Sequence, residues 1–250
     1  MNVVGSLPTV TATQMAEIDR IMLQDLGVGP LQLMELAGHA VASFAREHSL
    51  DNNPVDKRIV VLAGNGGNGG DGMVAARLLT AWGADVSVVT TRAIEDHRGI
   101  TLHQLGILQR WEIPVVEGSI DTPVPIPDDA GLIVDGLLGF SLHGDPRGTA
   151  AALIETANDA DAPILAIDLP SGLDATTGEI GSPCIRATTT LTLALAKTGL
   201  GAEGADRVTG DLWLADIGVP PAAFARIGIP LSALVFASRP FLRLSTRRLP

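Results

Sequence analysis

The chain has 250 residues, 46% of them hydrophobic, with a formal net charge of −11 and a pI near 4.7. That length and apolar content can bury the core of one α/β domain, and the acidic balance argues against a nucleic-acid surface, which needs a basic stripe. The single cysteine, Cys184, leaves no disulfide framework and no thiolate metal cluster, which suits a reducing cytoplasm, and no apolar run nears the roughly 20 residues that span a bilayer.

Met1 to Gln14 has neither a basic start nor a continuous apolar run, so no signal peptide is expected. Thr11 or Thr13 is positioned to cap a first helix, in which Met15, Ile18, Ile21 and Met22 recur at helical spacing. Gly27-Val28-Gly29-Pro30 breaks it, and a second helix is predicted from about Leu31 to Arg46. Asp51-Asn52-Asn53-Pro54 then forms a turn cluster. From there short apolar runs alternate with helical stretches. Strands are predicted near 58–63, 85–90, 131–135, 163–168, 188–195 and 211–215, and helices near 70–82, 99–110 and 148–159. The stretch Pro123 to Pro127 reads as loop. Alternation of this kind means a mostly parallel sheet covered on both faces, and Ile59-Val60-Val61-Leu62 and Ile164-Leu165-Ala166-Ile167 are apolar throughout, as strands buried on both sides should be. The fold class is therefore α/β: a three-layer αβα Rossmann-like sandwich with a mostly parallel central sheet and two N-terminal helices. Residues 1–218 read as one domain and 219–250 as a basic tail. No acidic residue follows Asp216, while Arg226, Arg239, Arg243, Arg247 and Arg248 do, which leaves the rest with 28 acidic against 12 basic residues, a net of −16. Such a tail either docks on its own domain or a partner, or lies solvated and partly disordered; composition leaves both open.

The most informative segment is Gly64-Asn65-Gly66-Gly67-Asn68-Gly69-Gly70-Asp71-Gly72, directly after the run Arg58 to Ala63. A strand, a glycine loop and a helix N-terminus together make a nucleotide-type pocket, because glycine lets a ligand press against the backbone amides. Ligands of parallel sheets collect at the carboxyl ends of the strands. Two further predicted strands end in acids there: Asp135, followed by Gly136 to Asp145, and Asp168, leading into Leu169-Pro170-Ser171-Gly172-Leu173-Asp174. Lys197 ends another. Singly, an aspartate before Gly or Pro is often a turn former and a lone lysine is usually solvated; the set is harder to dismiss. The five histidines lack metal-ligand spacing, so no zinc site is expected, and Ser171 lacks the Gly-x-Ser-x-Gly frame of a hydrolase nucleophile.

Gly64-x-Gly66-x-x-Gly69 satisfies the dinucleotide fingerprint literally, which makes a Rossmann-type NAD(P)-dependent oxidoreductase the structural rival. Two features count against it. Asp71 is read into the first turn of the following helix, where it would repel a pyrophosphate, and the ribose-binding acid expected about 20 residues on is missing, because the second strand ends Val89-Thr90-Thr91-Arg92.

Taken together, these motifs resemble the NAD(P)H-hydrate epimerase family, the YjeF N-terminal domain, from about Thr11 to Val219. The resemblance is carried by Gln14-Met15-x-x-Ile18-Asp19, Leu33-Met34-Glu35-x-Ala37-Gly38, Asn68-Gly69-Gly70-Asp71-Gly72 with Val74-Ala75-Ala76-Arg77, Asp135 through Asp145, Asp168 through Asp174, and Lys197-Thr198-Gly199-Leu200. It implies an enzyme that interconverts the R and S forms of hydrated NADH and NADPH, damaged cofactors with a hydroxyl beside the ring nitrogen. It also implies a potassium ion held by Asn68, Asp135 and Ser171, and substrate contacts from Gly67, Asn68, Gly69, Gly70 and Asp71, from Gly139, Phe140, Ser141, Leu142, His143, Gly144 and Asp145, and from Asp168. A functional pairing with a separate NAD(P)H-hydrate dehydratase, a homodimer and a cytoplasmic location follow from the same resemblance, with neither nucleic acid nor membrane as partner. Potassium is a hard cation that wants oxygen ligands, which an amide, a carboxylate and a hydroxyl supply. Inverting the hydroxyl-bearing carbon requires breaking its C–O bond to an iminium or its C–N bond to an open ring, and Asp168 is the candidate acid-base, with Lys197 neutralising either Asp168 or a phosphate. Three positions depart from the family pattern: Gly67 replaces an asparagine, Leu36 another asparagine, and His143 a lysine of some members. The alternative is a non-catalytic nucleotide-binding or scaffold module of the same fold. The chain ends at Pro250, which leads to the expectation of no fused ATP- or ADP-dependent step.

Overall fold

The computed structural model describes residues 7–122, 124–232, 235–245 and 249. Residues 1–6, Pro123, Arg247 and Arg248, on which parts of the leader, loop and tail readings fall, lie outside the described residues.

Thr11 caps the first helix, α1 (Ala12–Arg20). Its hydroxyl accepts from the Gln14 amide at 3.2 Å while the Gln14 side chain accepts from the Thr11 amide at 2.9 Å, the reciprocal arrangement that satisfies two otherwise orphaned donors. The helix runs on through a wider turn, Ile21–Asp25. Pro30, which has no amide hydrogen to lose, starts α2 (Pro30–Phe44). The remaining elements alternate: β1 (Arg58–Ala63), α3 (Gly67–Ala81), β2 (Asp85–Thr90), α4 (Gly99–Arg110), β3 (Val115–Glu117), β4 (Leu132–Gly136), α5 (Gly148–Asp159), β5 (Ile164–Ile167), β6 (Thr189–Leu193), α6 (Asp206–Thr209), β7 (Asp211–Ala215), α7 (Pro221–Arg226) and β8 (Phe241–Arg243).

The eight strands form one sheet in the order β3-β2-β1-β4-β5-β6-β7-β8, parallel except for β8. Strand periodicity of two divides its residues cleanly. Ile59, Val61, Val88 and Val134 face α2, α3 and α4 through Phe44, Met73, Leu79 and Leu105. Val60, Leu62, Ile133 and Ala166 face α5 through Leu153, Ile154 and Ala157. Both faces are covered, as the uninterrupted apolar runs require. Among the described residues no helix is long and apolar enough to cross a membrane.

The sequence reading lacks the short elements β3, β8, α6 and α7 and places the start of one long helix, α3, too late. β3 and β8 have three residues each, too few to show a period, and α3 begins at Gly67 rather than near residue 70 because glycines hide its first turn from any apolar count. Within the tail, β8 pairs with β7, Arg226 reaches Asp25 at 3.0 Å and Arg243 reaches Asp211 at 2.6 Å, so these tail residues dock on the domain.

Two glycines of the first loop are required by close approach. A Cβ on Gly64 would sit 1.8 Å from the Leu137 carbonyl oxygen, and one on Gly69 would sit 1.9 Å from the Gly64 carbonyl oxygen. The loop after β1 is thus pressed against the loop after β4. Gly67, the first residue of α3, has nothing within 4 Å of a Cβ. Gly67→Ala should therefore stabilise the protein by about 0.4–1 kcal/mol in urea unfolding through lower unfolded-state entropy, whereas Gly64→Ala should cost about 1–3 kcal/mol from overpacking. Equal effects at the two positions would contradict this account.

Candidate functional site

The carboxyl ends of β1, β4 and β5, together with the segment after β6, open on one edge of the sheet because these strands run parallel. A cleft of about 960 Å³ lies along that edge. It is at the upper end of the roughly 300–1,000 Å³ typical of ligand sites, room for a dinucleotide rather than a fragment. Its lining includes Gly67, Asn68 and Asp71 from the glycine loop, Gly139 to His143 from the loop after β4, and Asp168 and Lys197.

Asp168 is held in place by its own backbone and by three donors. It adopts φ 69°, a left-handed conformation that aspartate tolerates better than most non-glycine residues. This turns its carboxylate toward the end of β6, where Oδ1 accepts hydrogen bonds from the Leu193 amide at 3.1 Å, from Thr192 Oγ1 at 3.2 Å and from Lys197 Nζ. Oδ2 takes no hydrogen bond from any described residue. Lys197 is 1% exposed, and its Nζ also donates to the Leu193 carbonyl at 2.9 Å. The lysine does not end a strand: β6 stops at Leu193, the chain turns through Ala194 at φ 63°, and Lys197 then bridges to Val10 ahead of α1. Its charged partner in the structure is Asp168.

Asp135 and Ser171 form the floor rather than the wall. Both are buried, and neither lines the cleft. The Ser171 hydroxyl donates to Asp135 Oδ1 at 2.6 Å, the Ser171 amide to Oδ2 at 2.8 Å, and the Leu137 amide to Oδ1 at 3.2 Å. Burial pushes the Asp135 carboxyl up to about 6 against the lowering effect of these bonds, and no cationic side chain pairs with it among the described residues. The Leu138 carbonyl joins this floor to the loop above, lying 3.3 Å from Ser171 Oγ and accepting from Asn68 Nδ2 at 3.1 Å; the same Nδ2 donates to the Ile167 carbonyl at 2.8 Å. A buried carboxylate without a counter-charge, beside a hydroxyl, two carbonyls and an amide, fits a monovalent cation that takes oxygen ligands. An ion held there would draw on Asp135, Ser171 and the Oδ1 of Asn68. Among the described residues no group of three or more His, Cys, Asp or Glu side chains could hold a metal.

Other expected contacts separate. Gly69 and Gly70 are buried under the loop, where Gly70 abuts Met34, and do not line the cleft. Gly144 and Asp145 also lie outside the lining; Asp145 Oδ1 accepts from the Ser182 amide at 2.9 Å and so ties two loops together. Leu36 is exposed and does not itself line the cleft, although its side chain lies close to Gly218, between the lining residues Ile217 and Val219, and exposed His143 lines it.

Asp71 needs a correction. It is the fifth residue of α3, not a member of its first turn, and its side chain is buried. Burial, with Asp168 and Asp19 nearby, raises its carboxyl well above the usual range, opposed only by Lys197. Its tendency to hold a proton, together with its place beyond the first turn, weakens the argument that it repels an anion at the helix N-terminus. Asp19 was not singled out as a site residue. It lies one turn after Met15 on α1, both line the cleft, and burial pushes its carboxyl up to about 6, with Lys197 lowering and Asp168 raising it. The i, i+4 spacing with buried Met15 was the available signal.

Residues 30–199 match the family described as YjeF-related protein N-terminus. The chain is 37% identical over 228 residues to an NAD(P)H-hydrate epimerase of Dehalogenimonas lykanthroporepellens, covering 90% of this chain and 87% of that one. It is 38% identical to a bifunctional NAD(P)H-hydrate repair enzyme of Moorella thermoacetica, covering 84% of this chain and 40% of that one. The crystal structure of the yeast protein ynu0 superposes with a TM-score of 0.78 at 26% identity, covering 95% and 100% of the two chains.

Removing Lys197 leaves a buried charge uncompensated. Lys197→Met should cost about 3–5 kcal/mol in urea unfolding, and the double variant Asp168→Asn/Lys197→Met should recover much of that loss. Purely additive losses in this cycle would mean that the two side chains do not act as a pair.

Proposed function

This chain belongs to the YjeF-related protein N-terminus family, and we propose that it is an isomerase that interconverts the R and S epimers of hydrated NADH and NADPH. Epimerase relatives matched over most of their length and most of this chain support the activity. The observation that carries the chemistry is the asymmetry of Asp168. One oxygen is occupied by three donors, and the other takes no hydrogen bond from the described residues in a cleft whose neighbouring acid, Asp71, is pushed by burial well above the usual carboxylate range.

The reaction needs a proton donor and a proton acceptor. The ring nitrogen's lone pair forms a C=N bond as the C–O bond breaks, and the departing oxygen takes a proton from Asp71 to leave as water. Water then adds to the other face of the iminium, the C=N electrons return to nitrogen, and the proton lost by that water goes to Asp168 Oδ2. A proton passed from Asp168 to Asp71 through solvent resets the pair. Dividing the roles resolves a conflict in assigning both to Asp168: a general acid at neutral pH wants a raised pKa, and a carboxylate paired with Lys197 is better suited to accept. Lys197 positions Asp168 and does not touch the substrate in this reading. Asp19 adds negative charge beside Asp71 and so helps it retain its proton.

Asn68, Asp135 and Ser171 would hold potassium, which would supply positive charge beneath the loops and offset the charge of Asp135. The reading includes functional pairing with a separate NAD(P)H-hydrate dehydratase, a homodimer and a cytoplasmic location, which rest on the family resemblance.

Asp168→Asn should lower kcat for epimerisation of hydrated NADPH by about 10²–10⁴-fold in the folded protein. Binding with wild-type turnover in that variant would remove the residue from the chemistry, and binding without turnover by the wild type would favour the non-catalytic module. The kcat/KM profile should fall as pH rises through the Asp71 titration, because the donor must be protonated. Asp19→Asn, which takes a like charge away from Asp71, should move that alkaline limb to lower pH; an unmoved limb would exclude Asp71 as the donor. Replacing potassium with a bulky organic cation should reduce kcat/KM, with recovery when potassium is restored.

A further inference from the structure

The cleft has a second end, chemically opposite to the acidic one. β2 finishes at Thr90, the Thr91 amide donates to the Ala63 carbonyl of β1 at 3.2 Å, and Arg92 follows, lining the cleft. Facing it is the start of α5. A Cβ placed on Gly118 would be 2.9 Å from Thr149 Cγ2 and 3.1 Å from the Thr90 carbonyl oxygen, so the first turn of α5 lies against the end of β2. Arg147, the residue before that helix, also lines the cleft. Its helix has no side-chain cap and no acid in its first turn, which leaves amide hydrogens and the positive end of the dipole open. Neither guanidinium has an ion-pair or hydrogen-bonding partner among the described residues, although the chain carries a net charge of −11. Two unpaired arginines beside an open helix start are an arrangement suited to a phosphate.

The strand order says which phosphate. From β5, which Asp168 directly follows, to β2 is three strand steps, about 14 Å at ~4.8 Å per step. That is the scale on which a dinucleotide reaches from its reacting ring to its second ribose. In dinucleotide folds the end of the second strand reads the ribose 2′ position: an acid there accepts the 2′-hydroxyl and an arginine takes a 2′-phosphate. β2 has its acid, Asp85, at the wrong end, and its carboxyl end leads into Arg92.

We propose that Arg92, Arg147 and the open start of α5 form a subsite for the 2′-phosphate of hydrated NADPH, which makes this protein selective for the phosphorylated cofactor over hydrated NADH. The subsite rests on the epimerase reading for the identity of the reacting half but not for its own existence. It explains why the acid of an NAD-type site is missing after β2.

The test uses the full-length protein and two readouts. In calorimetry at fixed ionic strength, adenosine 2′,5′-bisphosphate should bind about 10–100-fold more tightly than AMP, the range for hydrogen bonds to a charged group. It should also bind more tightly than adenosine 3′,5′-bisphosphate, which carries the same groups at another position. Arg92→Leu, at an exposed side chain without partners, should abolish both preferences. In kinetics the kcat/KM ratio of hydrated NADPH to hydrated NADH should fall toward one in Arg92→Leu and in Arg147→Leu. Equal binding of the two bisphosphates, or a preference that survives Arg92→Leu, overturns the subsite. A protein that keeps the 2′ preference but turns over neither hydrate overturns the epimerase reading and leaves the subsite standing.

Discussion

The buried ion pair between Asp168 and Lys197 is the constraint around which the rest of the site is arranged. Two opposite charges removed from water are tolerated only when each is matched and hydrogen-bonded, and here both conditions are met. The consequences extend beyond the pair. Meeting Lys197 requires a left-handed backbone at Asp168 and a second at Ala194. The residue after the lysine, Thr198, donates its amide to the Val10 carbonyl, which brings the segment ahead of α1, and with it Asp19, to the rim of the cleft. One cation therefore serves three acids, and it can neutralise only one. The other two, Asp19 and Asp71, hold protons more tightly than free aspartates because burial and like charges leave them no better option.

A second polar assembly beneath the cleft does a different job. Asp135 binds the backbone of its own loop through Leu137 and the loop after β5 through Ser171, and the Leu138 carbonyl hands this connection up to Asn68. The loops after β1, β4 and β5 are thereby fixed to one another by Asp135 and Ser171, which lie beneath the cleft, and by Asn68, which lines it. The close approach of Gly64 to Leu137 shows how little space separates them. The arrangement is rigid where chemistry is proposed and leaves an unpaired carboxylate where an ion is proposed.

Along the cleft the charge changes sign, from carboxylates around one lysine to arginines without partners among the described residues. In an acidic protein this polarity would orient a ligand of the proposed kind, with negative charge at one end and its reacting ring at the other. The same sheet explains both ends, since strand order alone decides which loops become neighbours.

Much of this was legible in the amino-acid sequence. β1, β2 and β7 match their predicted bounds because apolar runs bounded by turn residues report local preference, and α4 and α5 do so through helical periodicity. The glycine loop, Asp135, Asp168 and Lys197 were visible as polar residues at the ends of such runs. Other features had no local signature. The three-residue edge strands carry too little period to detect, and Asp19 looked like any polar residue of an amphipathic helix. Gly69 and Asp145 read as ligand contacts, and the structure places them outside the cleft lining, Gly69 against the Gly64 backbone and Asp145 on the Ser182 amide. The upward pKa shift of Asp71 and the partner of Lys197 were beyond sequence for a common reason: both depend on which charges share a low-dielectric space. Periodicity along a chain describes what each segment buries, whereas burial beside a particular charge is created only when distant segments pack.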